Sequence, residues 1–243
     1  MHFSKSVFLL FVSSFILFSC SSDIEPIDPA LQPGGGNSGG NGSGGGVSTG
    51  DYWPMAQNNS WTFSQNGVPQ APMRITNTEQ INSRTYYAYE NFVGVSLGGS
   101  NFTGTVHSRK ANGNYYVRNQ VTIPGTGGNP TITVSPLEIL VLKDFLEVNQ
   151  TWTQELTQTT TITGTPPINT PVSIVGKILE KNASLTIGST TYTNIIRVEL
   201  VQTTQGVVNT NYYWFAKDIG LVKYQMILQG SNLVYELQSY NLN

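Results

Sequence analysis

The chain holds a single cysteine, Cys20, and two histidines, His2 and His107. One cysteine excludes an internal disulfide framework, so stability has to come from a packed core. Two histidines cannot assemble a histidine-based zinc site within one chain. No nucleophile elbow GxSxG, phosphate loop GxxxxGKS/T or acidic calcium loop occurs. Charged residues make up 11% of the sequence, the formal net charge is −2, and lysines and arginines are scattered. That excludes the basic stripe by which proteins track nucleic acid. Long apolar runs are missing as well. The run at 7–18 is about twelve residues, where a hydrocarbon core needs roughly twenty. No metal, cofactor or nucleic acid is therefore expected. Thr, Asn, Gln and Ser supply the polarity instead, which suits the solvent face of antiparallel sheets.

The apolar run follows Lys5, is broken by Ser13 and Ser14, and leads into Leu17-Phe18-Ser19-Cys20. Its length fits the apolar region of a targeting segment. The tetrapeptide resembles the lipobox of a bacterial type II signal peptide. The resemblance implies removal of residues 1–19 and acylation of Cys20 as the mature N-terminus, with the lipid as membrane anchor. His107 is then the one remaining histidine, and Cys20 is no longer a thiol nucleophile. Residues 20–50 read as a tether. Pro26, Pro29 and Pro33 give way to Gly, Asn and Ser as far as Gly50, with no apolar periodicity to offset the cost of ordering. A flexible coil of about 30 residues reaches on the order of 30 Å. Asp23 and Glu25 resemble the export signal of Bacteroidota surface lipoproteins, and Ser21 resembles the residue choice that avoids inner-membrane retention. Both imply the cell envelope, at the outer membrane on its periplasmic or surface face.

Residues 51–243 read as an all-β domain. Runs of Thr, Val, Ile, Tyr and Phe are separated by turn residues at hairpin spacing. Asn66-Gly67 and Asn112-Gly113 accept the positive φ of type I′ turns; Gly188-Ser189, Gln205-Gly206 and Gly230-Ser231 divide later runs. Ile196, Val198 and Leu200 alternate with Arg197 and Glu199, and Val222, Tyr224, Met226 and Leu228 alternate with Lys223 and Gln225. The span 171–241 is therefore expected to be an antiparallel meander with one wet face. One short helix is expected at 136–146, where Pro136 suits a first turn and Leu137, Leu140 and Val141 recur at 3–4 spacing.

Two stretches resemble each other without gaps, which divides the domain into halves 51–144 and 145–243. Pro54-Met55-Ala56-Gln57-Asn58-Asn59-Ser60-Trp61-Thr62 aligns to Phe145-Leu146-Glu147-Val148-Asn149-Gln150-Thr151-Trp152-Thr153. Ile81-Asn82-Ser83-Arg84-Thr85-Tyr86 then matches Ile187-Gly188-Ser189-Thr190-Thr191-Tyr192, and Tyr115-Tyr116-Val117-Arg118 loosely matches Tyr212-Tyr213-Trp214-Phe215. A duplicated β unit is one reading. Chance likeness in a chain of low diversity is the other. Trp61 and Trp152 read as core anchors whose indole N–H meets a turn carbonyl. Asn58 and Asn149 suit left-handed turn positions.

The segment Tyr52-Trp53-Pro54-Met55-Ala56-Gln57-Asn58-Asn59-Ser60-Trp61-Thr62-Phe63 resembles the "YYPLxxGNxWxY" opening of uncharacterised β-rich bacterial lipoproteins. Trp214-Phe215-Ala216-Lys217-Asp218-Ile219-Gly220-Leu221-Val222-Lys223 is similar to their "WfAkGiGlVK" strand-turn-strand. Asn58 and Asp218 each replace a glycine and still tolerate turn geometry. The resemblance implies a half-open antiparallel barrel like that of periplasmic lipoprotein carriers; a sandwich is the alternative. It transfers no catalytic residue.

Candidate chemistry is sparse. Ser-His-Asp catalysis would need His107, which lies before the Asn112-Gly113 turn and reads as an exposed strand residue. Glu90, Glu138, Glu147, Glu155 and Glu199 are the carboxylates from which a glycosidase pair would be drawn, and nothing in the sequence brings two of them together. A non-enzymatic domain is expected. Tyr86-Tyr87, Tyr115-Tyr116 and Tyr212-Tyr213-Trp214 are adjacent strand aromatics, so alternation sends members of each set to opposite faces. Two functions follow. In one, the domain binds an apolar ligand or an envelope component. In the other, a surface module recognises glycan or a protein partner through exposed tyrosines.

Overall fold

A computed structural model describes residues 46–94, 103–125 and 129–243. The leader 1–19, Cys20 and most of the tether lie outside the described residues. The strands are β1 (Ser60–Gln65), β2 (Val68–Pro69), β3 (Met73–Ile81), β4 (Arg84–Glu90), β5 (Thr103–Ala111), β6 (Asn114–Ile123) and β7 (Ile132–Lys143). They continue as β8 (Thr151–Ile162), β9 (Ile168–Ile187), β10 (Thr190–Thr204), β11 (Val207–Ala216), β12 (Gly220–Leu228) and β13 (Ser231–Asn241). All pairings are antiparallel; β1 pairs with both β2 and β3, the strands from β3 onward pair with their chain neighbours, and β13 also pairs with β1, from Ser60↔Asn241 to Gln65↔Tyr235. That last ladder closes the sheet. The result is a 12-strand barrel, with β2 a short hairpin arm outside the ring. It corrects both the half-open barrel and the sandwich. Closure joins the two ends of the domain, and no local pattern announces such a pairing.

The expected helix at 136–146 is also corrected, because its residues belong to β7 and the turn after it. β7 slips register against β6 twice: Val134 faces Val121 but Leu137 faces Asn119, and Leu140 faces Tyr116 but Leu142 faces Tyr115. Each slip is a bulge that resets the alternation. Val134, Leu137 and then Leu140, Val141 and Leu142 are buried at intervals that imitate a helix. Pro136 falls in the first bulge, where its missing N–H costs the ladder nothing.

Hairpin turns sit where the sequence places them. Asn66 and Gly67 have φ 48° and 84°, Asn112 and Gly113 have 50° and 72°, and Gln205 and Gly206 have 49° and 78°. The last turn uses Gln229-Gly230 rather than Gly230-Ser231, since Leu228 faces Ser231. The core face of the C-terminal strands carries Ile196, Val198, Leu200, Phe215, Tyr224 and Met226, all buried. Trp53, in the segment before β1, enters this core with its ring 5.7 Å from Phe215, 6.0 Å from Phe92 and 6.2 Å from Tyr89. Tyr213, Tyr224 and Tyr235 continue the aromatic packing at 4.9 and 5.7 Å. Gly94 brings the backbone so near Tyr224 that a Cβ there would stand 2.5 Å from the ring. Among the described residues these side chains belong to one continuous apolar core.

Two stretches read as similar take the same geometry. The Asn58 N–H donates to Ile75 O at 2.9 Å and the Ile75 N–H to Asn59 O at 2.9 Å. The Asn149 N–H donates to Ile178 O at 2.8 Å and the Ile178 N–H to Gln150 O at 3.1 Å. Both asparagines are left-handed, at φ 69° and 71°. Trp61 Nε1 donates to Ile219 O at 2.7 Å and Trp152 Nε1 to Leu140 O at 3.2 Å. Met73-Arg74-Ile75 therefore corresponds to Gly176-Lys177-Ile178, a match hidden by the large-to-small change at its first position. The third sequence likeness does not align. Tyr115 lies on the fifth ring strand of the first set (β1, β3–β7), whereas Tyr212 lies on the fourth of β8–β13. Their facing also differs: Tyr115 and Tyr213 point to the core.

Candidate functional site

Pairing registers put Tyr86, His107, Arg109, Tyr116, Arg118 and Glu138 on the face of β4–β7 opposite the Trp53 core. This face is not bare. Tyr86, His107, Arg109 and Tyr116 are all buried, so His107 corrects the expectation of an exposed histidine. Its Nε2 lies 3.1 Å from Glu79 Oε2. The Arg109 guanidinium stacks 3.6 Å from the Tyr116 centroid. Its Nε donates to Glu138 Oε2 at 3.0 Å, and Nη2 pairs with Glu138 Oε1. The Tyr86 hydroxyl also donates to Glu138, and Arg84 stands 3.6 Å away. Burial alone would raise the Glu138 pKa, but the donors Arg109 and Tyr86 outweigh it and hold the carboxyl below its usual range.

The equivalent face of β9–β13 carries Arg197, Tyr212, Trp214 and Lys223. Arg197 lies 5.4 Å from the Tyr212 centroid and 4.9 Å from that of Trp214, and Lys223 lies 5.6 Å from Trp214. Glu180 and Glu236 complete ion pairs with Arg197 at 2.8 Å and Lys223 at 2.6 Å. Trp214 is only 8% exposed beneath these cations. The outward aromatics Tyr86, Tyr116 and Trp214 are therefore covered rather than offered as open stacking platforms.

A third feature binds the end of the tether to the barrel. Asp144, fully buried after β7, accepts from Ser48 Oγ at 2.6 Å, the Thr49 N–H at 3.3 Å and Tyr115 Oη at 3.2 Å. Tyr115 Oη also meets Gly50 O at 2.9 Å and the Tyr52 N–H at 3.0 Å. Burial raises the Asp144 pKa, and these neutral donors, with Lys181, offset it only in part. Residues 46–50, the last of the stretch read as tether, are thus strapped down.

The carboxylates considered for hydrolysis are dispersed. Glu90 pairs with Arg74, Glu138 with Arg109, Glu147 with Lys181, and Glu155 accepts from Ser173. Glu199 sits beside Tyr212. Among the described residues no group of three or more His, Cys, Asp or Glu could hold a metal. A cleft of about 330 Å³ opens beside the strap, lined by Thr49, Tyr52, Glu147, Lys181, Asn182, Asn194 and Lys217. Sequence reasoning missed it. The available signal was Asn182 and Asn194 standing inside strand runs, where asparagine is disfavoured unless a bulge holds it.

No family model matches the sequence, and no curated protein matches it either. Two solved structures are similar. One is a candidate lipoprotein from Parabacteroides distasonis, 14% identical, with TM-score 0.47, covering 79% of this chain and 99% of that chain. The other is a candidate exported protein with a YmcC-like fold from Bacteroides fragilis, 11% identical, with TM-score 0.43 and the same two coverages.

Proposed function

We infer that the protein is a lipid-anchored, non-enzymatic component of the cell envelope, at the outer membrane. Acylated Cys20 holds it to the bilayer, the tether gives reach, and the barrel recognises an envelope component by its surface rather than storing an apolar molecule inside. The observation that supports surface recognition is the packed interior: Trp53, Phe92, Phe215 and the Tyr213-Tyr224-Tyr235 stack occupy the space a carrier would leave open. Dispersed carboxylates and a buried His107 held against Glu79 support a non-enzymatic role.

Metabolic labelling with an alkyne palmitate tests the anchor. Label should enter the wild type and be absent from Cys20→Ala, and the wild type should fractionate with outer membranes. Equal labelling of both would end the reading. For the barrel, a fluorescent fatty acid should show no saturable binding to the detergent-purified chain; stoichiometric, saturable uptake would restore the carrier.

A further inference from the structure

Among the described residues, twelve non-glycine residues have positive φ, and ten of them lie at turns or strand ends. The other two, Asn182 and Asn194, both at φ 53°, lie within β9 and β10. They flank the one region where that long ladder loses register, around Ile195↔Ala183. Bulges of this kind bend a sheet and re-aim side chains. Both line the same cleft. Thr49 of the strap and Tyr52 also line it, and the turn after β11 is fixed beside it: the Lys217 N–H donates to Asn194 O at 3.3 Å, and the Asp218 N–H to Asp51 O at 2.6 Å. Gly50 lies against the Lys217 stem, where a Cβ would stand 2.6 Å from Cε.

The chemistry of the lining selects among ligands. Lys181 Nζ is already held by Glu147 Oε1 at 2.8 Å and Leu146 O at 3.1 Å. Among the described residues, the Lys217 ammonium and the Asn182 and Asn194 amides have no hydrogen-bond partner. An apolar molecule has little to bury against seven residues that all carry polar groups. A simple anion gains little, because Glu147, Asp218 and the buried Asp144 offset the two lysines. Hydroxyl groups suit the site, since each can donate to a carboxylate or amide oxygen and accept from an ammonium or amide N–H.

We propose that this cleft binds a saccharide residue, with the Asn182 and Asn194 amides and the Lys217 ammonium meeting its hydroxyls and the Glu147–Lys181 pair forming one wall. The proposal rests on surface recognition as the protein's role, and it names the site and the ligand class. The volume accommodates a single sugar ring with its solvent, so the site reads one residue of a longer glycan.

Saturation-transfer NMR on the detergent-purified chain tests it, with galactose, N-acetylglucosamine and glucuronate as probes. Ring protons of at least one sugar should receive saturation. In Asn182→Gly/Asn194→Gly, which keeps the left-handed backbone and removes both amides, the dissociation constant should rise about tenfold or more. Lys217→Met should weaken binding similarly, and Lys177→Met on the outer sheet should not. Thermal unfolding of each variant separates lost binding from lost fold. Absence of saturation with all three sugars overturns the proposal. Saturation that persists unchanged in the Asn variants overturns this site while leaving surface recognition intact, whereas equal palmitate labelling of Cys20→Ala removes the anchor reading alone.

Discussion

The two halves of the barrel leave the same turn and then part. In the second half, β8 runs against β9 from Thr151↔Lys177 to Thr160↔Ile168, and β11 pairs with β10 along its whole length, from Val207↔Thr204 to Ala216↔Ile195. In the first half, β1 meets β3 only at Ser60↔Arg74 and Trp61↔Met73, and β4 meets β5 only at 87–89 against 106–108. Side chains make up the difference there. Glu138 ties Arg84, Tyr86 and Arg109 together across β4, β5 and β7. Asp144 and Tyr115 bind the strap. The seam between the halves follows the same rule: Gln154 Oε1 accepts from the Leu140 N–H, and Trp152 Nε1 donates to Leu140 O. Where the backbone ladder is broken, buried polar side chains supply the missing hydrogen bonds.

If that contrast is right, an ion pair should matter far more in the first half than in the second. Glu138→Ala leaves Arg109 buried and unpaired, and should cost about 3–5 kcal/mol. Arg197→Ala, on the half-exposed outer face, should cost about 1 kcal/mol or less. Urea denaturation of both variants measures the gap, and equal losses would erase the distinction. Gly176→Ala probes the continuous ladder. A Cβ there would run into the Trp152 indole lying across β9, so a loss of about 1–3 kcal/mol is expected from overpacking. Near-UV circular dichroism should register the displaced tryptophan; an unperturbed spectrum would show that the ladder yields.

The smallest effect is a pair of opposite pH dependences on one strand and its following turn. The Glu138 carboxyl is lower in the folded state than its ordinary 4.5, so its contribution is present above that pH and lost on acidification. The Asp144 carboxyl is raised above its ordinary 3.8, so its contribution is present below that pH and lost as pH rises through the folded value. Unfolding midpoints of wild type and Glu138→Gln should converge as pH falls below 4.5. The midpoint of Asp144→Asn should instead gain on wild type as pH rises above 3.8, because only the wild-type carboxyl has to ionise where burial opposes it. Differences of the same sign for both variants at higher pH would refute the two environments.

Much of the C-terminal half is legible in the sequence because long stretches of its strands alternate between bulges, as at Ile196, Val198 and Leu200. Asparagine placement is equally direct: Asn58 and Asn149 sit in left-handed turns for the steric reason that marks them. The bulges of β7 are not legible, since an inserted residue leaves no composition signal and shifts the apolar spacing toward a helical one. His107 reads as exposed because its cover comes from Tyr86, Glu79 and neighbouring strands distant in sequence. The candidate cleft depends on Thr49 and Tyr52 meeting β9, β10 and the β11–β12 turn, a convergence that exists only after the ring has closed.

Joining β13 to β1 has a consequence wherever copies of the chain crowd together. An open sheet presents a row of unused amides and carbonyls, which neighbouring copies at high density can extend into shared sheets. Here the first and last strands satisfy each other. At that junction, copies that collide meet no unpaired terminal strand, and encounters there are left to side chains.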